Sequence, residues 1–247
     1  MKPIASSTTG LAYESVALVR QTCASNGLVL TESQLNRLGQ YAAILLTWNE
    51  NVNLVSRSAT HSVVLSHIIH SLSILFRIEI PPYFRMLDLG TGGGLPGIPI
   101  SIARPDLHVT LVDSIGKKTA AVESILSQLC LKCDVLNSRV EALAKTHPSF
   151  FDIVISRAVA PLSDLIKWSR PLLAITNDIE TSVGTSGKVV ITSGSLIAMK
   201  GGDLQLEIDT AGKKTGEKKI NTYDLSFPSA EELGLVDKKL VVVKVCK

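Results

Sequence analysis

Between Thr31 and Leu54 the apolar residues Leu35, Leu38, Ala42, Leu45 and Leu46 recur every three or four positions, the period of a helix that buries one face. Thr31, with Gln34 three residues on, predicts a capping box at its start. The run Trp48-Asn49-Glu50-Asn51-Val52-Asn53-Leu54 predicts a turn at its end, because asparagine side chains compete for backbone hydrogen bonds. Two further helices are predicted beside it. One covers residues 13–26, after a loose leader over 1–12, and stops at Asn26-Gly27. The other covers about 60–77, buries Val63, Val64, Ile68, Leu72 and Leu75, and is closed off by Pro81-Pro82.

From Arg85 onward the pattern changes. Short apolar runs at 84–89, 108–113, 133–137, 151–156 and 195–199 alternate with helical segments, among them 117–130 and 159–173, with Pro161 near the first turn of the latter. Alternation of this kind predicts an α/β fold, a parallel sheet covered by helices on both faces. The chain is expected to divide into a helical N-terminal extension, residues 1–80, and an α/β domain, residues 81–247. Residues 174–190, rich in Thr, Ser and Gly, read as a loop, with an extra short strand at 188–192. Residues 209–219 are polar and basic and read as a hairpin tip or mobile loop. A strand at about 218–225 followed directly by the strand at Leu240–Val245 predicts an antiparallel pair at one end of the sheet.

Composition narrows the class. The apolar share of 45% indicates a core-forming chain, and the net charge of +3 permits an anionic partner without requiring one. No run of about eighteen apolar residues is present, so no membrane span is expected, and the N-terminus lacks the features of a signal or transit peptide. Cys23, Cys130, Cys133 and Cys246 are few and scattered, as expected of reduced thiols in a cytosol-like compartment.

The candidate chemistry centres on Asp88-Leu89-Gly90-Thr91-Gly92-Gly93-Gly94-Leu95-Pro96-Gly97-Ile98-Pro99, where a strand breaks into a glycine turn and resumes as a helix. Such a turn is expected to present backbone N–H groups and a positive dipole end to a nucleotide. Gly92-x-Gly94-x-x-Gly97, with Asp113 about twenty residues on, matches the dinucleotide fingerprint, so an NAD(P)-dependent oxidoreductase is one reading. Against it, Pro96 and Pro99 fall where the phosphate-binding helix would open, the first glycine after the strand is Gly90, and Asp88 would oppose a pyrophosphate. A cationic ligand without phosphates, S-adenosylmethionine, reverses that objection. Asp88 then orients the loop or meets the amino acid part, and Asp113 accepts both ribose hydroxyls, unless it serves simply as a helix cap.

Several motifs together resemble the bacterial small-subunit ribosomal RNA guanine-N7 methyltransferases, the glucose-inhibited division protein B family. They are Trp48-Asn49…Asn53-Leu54, His67-Ile68…Ser71, the glycine–proline loop, Asp113-Ser114…Gly116-Lys117-Lys118, Ser138-Arg139-Val140-Glu141, Ile155-Ser156-Arg157-Ala158 and Lys200-Gly201. The resemblance, from about Leu35 to Val245, implies a class I (Rossmann-like) S-adenosylmethionine-dependent methyltransferase sheet with a helical extension. It also implies 16S ribosomal RNA or the small subunit as substrate and a cytoplasmic, monomeric enzyme. The loop and strand ends nominate Asp88, Gly92, Gly94 and Asp113 as cofactor contacts, and the resemblance adds Gly90, Leu95, Val140, Glu141 and Arg157. Arg157 and Arg139 are expected to position the base, and Lys117, Lys118, Arg139 and Lys200 to contact RNA. The family usually has proline where this chain has Gly93 and aspartate where it has His70, and residues 174–194 look like an insertion. Methylation of N7 needs no base to remove a proton, which suits a fourth strand ending in Ile-Ser-Arg-Ala with no Asp/Asn-Pro-Pro-aromatic motif. A non-catalytic ribosomal-RNA-binding protein on the same fold is the third reading.

Other signals weigh less. Cys130 and Cys133 have zinc-knuckle spacing without a second pair, and His61, His67 and His70 lack an accompanying carboxylate, so no metal is expected. Trp48 is expected to anchor the N-terminal helices on the sheet domain.

Overall fold

The computed structural model describes residues 7–56, 60–175, 182–184 and 186–245. Residues 1–6 of the expected leader, part of the 174–190 loop and Cys246 lie outside them. Four helices come first: α1 (Ser7–Ser25), α2 (Glu32–Asn49), α3 (His61–Leu72) and α4 (Ile74–Arg77). The first begins earlier than the pattern suggests, at Ser7. It stops at Gly27, whose φ of +72° only glycine adopts cheaply. Helix α2 opens with the expected capping box, Gln34 N donating to Thr31 Oγ1 and Gln34 Oε1 accepting from Thr31 N. Its buried face is Leu35, Leu38, Tyr41, Ala42 and Leu45, with Leu46 half-buried. The expected third helix is split at Ser73, whose hydroxyl donates to His70 O at 2.6 Å. Val63, expected inside, is exposed at 36%.

After the two-residue strand β1 (Ile78–Glu79) the α/β portion runs β2 (Arg85–Leu89), α5 (Gly97–Ala103), β3 (His108–Asp113), α6 (Gly116–Leu129), β4 (Asp134–Asn137), α7 (Val140–Thr146), β5 (Ile153–Arg157) and α8 (Leu162–Ser169). Then follow β6 (Ser182–Val183), β7 (Val189–Val190), β8 (Ser195–Gly201), α9 (Gln205–Thr215), β9 (Ile220–Asp224) and β10 (Lys238–Lys244). The main sheet has the order β4-β3-β2-β5-β8-β10-β9. Its first five strands are parallel, and β10 is antiparallel to both β8 and β9, the terminal pair expected from sequence. Strand β7 pairs with β1 and β6 in a separate small sheet.

The strands obey a period of two. Met86, Leu111, Ile153, Ile155 and Val242 enter one core, and Leu87, Val112, Val154 and Val241 enter the other. The first core also holds Leu35, Leu38, Tyr41 and Leu45 of α2 and Val64, Ile68 and Leu72 of α3, together with α5 and α6. Each fully buried large side chain contributes about 1.5–3 kcal/mol, so the N-terminal helices are welded to one face of the sheet. The second core holds α7, α8 and α9.

Residues 209–215 are not a hairpin tip or loop; only 216–219 are irregular. Residues 205–215 form α9, which packs on α8 through Ala211 and half-buried Ile208 and ends at Gly216, φ +76°. Only a narrow stripe is buried, and Lys213 and Lys214 occupy the last turn, where cations complement the helix dipole. The helical segment expected at 159–173 is shorter, Leu162–Ser169. No helix among the described residues is long and apolar enough to cross a membrane.

Candidate active site

The central strand β2 ends in the glycine loop, beside the carboxyl ends of β3 and β5. Two glycines there are required by close approach. A Cβ on Gly90 would stand 2.4 Å from Val159 Cγ2, and Gly90 has φ +75°. One on Gly97 would stand 2.2 Å from Leu111 Cδ2 and 2.7 Å from Asp88 Oδ2.

The amide groups of this loop do not form the phosphate cradle its sequence suggests. Gly90 N and Thr91 N both donate to Val112 O at 2.9 Å, and Gly94 N and Leu95 N to Thr91 O at 2.9 Å. Gly92 N donates to Asp113 Oδ2 at 3.0 Å and Gly97 N to Asp88 Oδ2 at 2.8 Å. These donors are spent within the protein, so the pyrophosphate of a dinucleotide would find few left to bind it.

Asp88 is fully buried behind the loop, away from the cavity in front of it. Its Oδ2 accepts from Thr91 Oγ1 (2.7 Å) as well as from Gly97 N, so one oxygen ties both ends of the turn. Burial pushes its carboxyl up to about 6, against the opposing pull of Thr91, Gly97 and the Arg157 guanidinium. Asp88 is thus a brace for the loop.

In front lies a cavity of about 580 Å³, lined by Gly90–Gly93, Leu95, Asp113, Ser114, Lys118, Ser138–Glu141, Arg157–Val159, Leu54 and Trp168. Asp113 accepts from Gly92 N and from Ile115 N, each at 3.0 Å, holding the turn before α6 while facing the cavity; it makes no cap hydrogen bond to the helix itself. An ionised carboxylate has about four lone-pair directions, which leaves capacity for two hydroxyls. Ser138 N and Asn137 Nδ2 both donate to Asp113 O, fastening the end of β4 to that of β3 and aiming Val140 and Glu141, the first turn of α7, at the cavity. Gly94 is packed against Ile98 and lines no part of it. Lys118 and the exposed Arg139 lie at its wall; Lys117 does not.

Arg157 ends β5, and the next residue, Ala158, holds φ +55°, a conformation that non-glycine residues seldom adopt. Both residues line the first cavity and also a second one of about 600 Å³. The second is walled by Val63, Ser66, His67 and His70 of α3, by Met199, Lys200 and Gly201, and by Leu233–Leu235 and Lys238. Burial lowers the Arg157 pKa while Tyr41 and Asp88 act to raise it; the guanidinium remains a cation. Lys200, expected on the RNA backbone, is instead engaged within the protein: Nζ donates to Ala160 O and to Glu207 Oε1, each at 2.8 Å.

The N-terminal helices reach this site. Tyr41 is fully buried and its hydroxyl donates to Gly93 O at 2.9 Å. A Cβ on Gly93 would stand 2.8 Å from Leu45 Cδ1 and 3.1 Å from Leu54 Cβ, so Gly93 lets α2 and the turn after it close on the loop. Asn49 braces that turn, its Oδ1 accepting from Leu54 N and Val55 N at 2.9 Å. Gln34 Nε2 donates to Ile102 O and Ala103 O at the end of α5. Trp48 is half-buried against the first core. Sequence reading missed Tyr41 and Trp168. Each looks like an ordinary amphipathic-helix residue until tertiary packing sets it beside the loop.

Among the described residues no group of three or more His, Cys, Asp or Glu comes together to hold a metal. S-adenosylmethionine fits the donor set: an acid at the end of β3, few free loop amides, and the wall around Val140 for a planar ring.

Comparison with known proteins agrees with this chemistry. The family described as rRNA small subunit methyltransferase G matches residues 34–235. A protein named ribosomal RNA small subunit methyltransferase G from Chlorobium luteolum is 38% identical over 225 residues, covering 91% of this chain and 84% of that one. Its namesake from Chlorobium phaeobacteroides is 39% identical over 226 residues, covering 91% and 90%. Among solved structures, the CurJ carbon methyltransferase shares the fold, with a TM-score of 0.50 at 12% identity over 100% of this chain and 72% of that one.

Proposed function

This chain belongs to the rRNA small subunit methyltransferase G family, and on that premise we propose that it transfers a methyl group from S-adenosylmethionine to N7 of a guanine in 16S ribosomal RNA. The supporting observation is the internal use of the loop amides together with Asp113 at the cavity wall, a site suited to a cofactor with a ribose and no phosphates. The nicotinamide reading lacks its phosphate cradle. When bound, S-adenosylmethionine supplies a methyl group activated by a sulfonium.

The protein's part is positioning. Asp113 would accept hydrogen bonds from the ribose hydroxyls, Gly90, Gly92 and Leu95 would leave the floor open, Val140 and Glu141 would frame the adenine, and Asp88 and Gly94 would act from behind by fixing the loop. Guanine N7 carries a lone pair and no proton, so no general base is needed. Holding N7 in line with the methyl carbon is worth several kcal/mol, out of the roughly 7–11 kcal/mol that ideal orientation can supply. Arg157, shared by the two cavities, donates to guanine O6 beside N7. Arg139, Lys118 and, further out, Lys117 meet the RNA backbone. Lys200 holds the wall between Ala160 and Glu207. The chain divides at about residue 80 into an N-terminal extension, whose helices α1 to α4 brace the glycine loop through Tyr41, and the methyltransferase domain, residues 81–247. The enzyme acts as a cytoplasmic monomer.

The test is methyl transfer from labelled S-adenosylmethionine to small ribosomal subunits lacking the modification, with the product mapped by chemical cleavage at N7-methylguanine. Label at a single guanine, lost in Arg157→Ala with the cofactor still bound, is the expected result. Label at a position resistant to that cleavage would overturn the N7 assignment. Unchanged turnover in Arg157→Ala would remove its role.

A further inference from the structure

The second cavity holds a group that nothing described so far explains. His70 is 8% exposed, and its Nε2 is buried with no hydrogen-bond partner among the described residues. Nearly all buried polar atoms in folded proteins are paired, because leaving one unpaired forfeits its hydration without return. The residue lies on the same face of α3 as Val63, Ser66 and His67, and all four line this cavity. Arg157 and Ala158 line this cavity as well as the cofactor cavity, so an occupant here would lie beside the cofactor site.

Burial, with Arg157, Lys238 and His67 around it, pushes the imidazole down to about 3. The ring is therefore neutral and has one nitrogen lone pair to offer. A base that enters an enzyme cavity for chemistry leaves its stack and is read along its Watson–Crick edge. With O6 taken by Arg157 in the reading above, the edge left to identify a guanine is N1–H and its neighbouring amine. Those are donors, and a neutral imidazole nitrogen is an acceptor that suits them. With the proton on Nδ1, the tautomer this reading requires, adenine, which presents a lone pair at N1, would meet lone pair with lone pair.

Resting on that functional reading, we propose that the second cavity seats the extruded guanine and that His70, through Nε2, is the residue that selects it by accepting its N1–H.

The test uses the full-length enzyme and small subunits reconstituted with either guanosine or 1-deazaguanosine at the mapped nucleotide. The analogue keeps N7, O6 and the amine and replaces N1–H by C–H. The wild type is expected to methylate the analogue about ten- to a hundred-fold more slowly in kcat/KM, the cost of one lost hydrogen bond to a buried acceptor. His70→Phe, which fills the space without an acceptor, is expected to be slow on both substrates and no longer to distinguish them. His70→Gln, whose longer amide can place an acceptor near the position of Nε2, is expected to recover most of the difference, with cofactor affinity by calorimetry unchanged in both variants. Equal wild-type rates on the two substrates, or a His70→Phe enzyme as fast as wild type on guanosine, would overturn the proposal. If His70→Phe loses cofactor binding through misfolding, the wild-type comparison alone decides. Failure of the wild type to label any guanine at N7 would instead overturn the underlying function, so the two failures are told apart.

Discussion

Replacing Asp88 with asparagine should change how stability depends on pH. Asp88 is fully buried, and its carboxyl titrates at about 6, up from the 3.8 of an ordinary aspartate. The folded protein therefore holds this proton to higher pH than the unfolded chain does. The stability it contributes is present below 3.8, is lost as pH rises through the interval to about 6, and is then flat. The full interval corresponds to about 3 kcal/mol, of which about 1.3 kcal/mol falls between pH 5 and pH 7. Asparagine has nearly the same shape and no titration. Its amide oxygen can accept the same bonds from Thr91 and Gly97 that Oδ2 accepts now. Urea unfolding of both proteins at pH 5, 6 and 7 is the assay. The wild type should lose about 1.3 kcal/mol relative to the variant between pH 5 and 7. His67 and His70, whose pKa values are pushed down to about 4 and about 3 mainly by burial, favour folding as pH rises, in the opposite sense. They are present in both proteins and cancel in the difference. Two stability–pH curves parallel to within about 0.3 kcal/mol would refute the reasoning, and Asp88 would then be no more costly to ionise inside than in water.

Two further substitutions test how the site is built. Tyr41→Phe removes the donor to Gly93 O and should cost about 1–2 kcal/mol, a fall in Tm of roughly 3–6 °C for a chain of this size. Because Gly93 lines the cofactor cavity, calorimetry should show weaker S-adenosylmethionine binding in the same variant; a Tm loss with cofactor affinity intact would confine Tyr41 to stability. Gly97→Ala places a Cβ 2.2 Å from Leu111 Cδ2 and 2.7 Å from Asp88 Oδ2, too close for the hydrogen bond from residue 97 to survive unchanged. It should cost about 1–3 kcal/mol in overpacking and weaken cofactor binding, and an alanine variant with wild-type affinity would show that the loop can be held without that bond.

Much of the fold was written in local pattern. Thr31 and Gln34 announced the capping box of α2, and short apolar runs placed β2, β3, β5 and the β9–β10 pair to within about two residues at each end. Residues 209–219 misled because α9 buries a stripe too narrow, Ala211 with Ile208, to register beside two glycines and a run of lysines. Asp113 could be nominated from sequence because residues at strand ends fall at one edge of a parallel sheet whatever the loops do, whereas Val140, Glu141 and Arg157 came from the family resemblance.

The sequence by itself determined most of the helices and strands, that a glycine turn follows the central strand, and which acids and arginines stand at the strand ends. These depend on residues a few positions apart, within reach of local sterics and hydrogen bonding. Tertiary structure alone decided what those groups do. It turned the loop amides inward onto Val112 O, Thr91 O, Asp113 and Asp88, and it set Asp88 behind the loop. It also brought Tyr41 to Gly93 from 52 positions away and left His70 Nε2 unpaired at a cavity that shares Arg157 with the cofactor site. A hydrogen-bond donor or a buried lone pair has no fixed partner in sequence; its partner is whatever packing brings within about 3 Å.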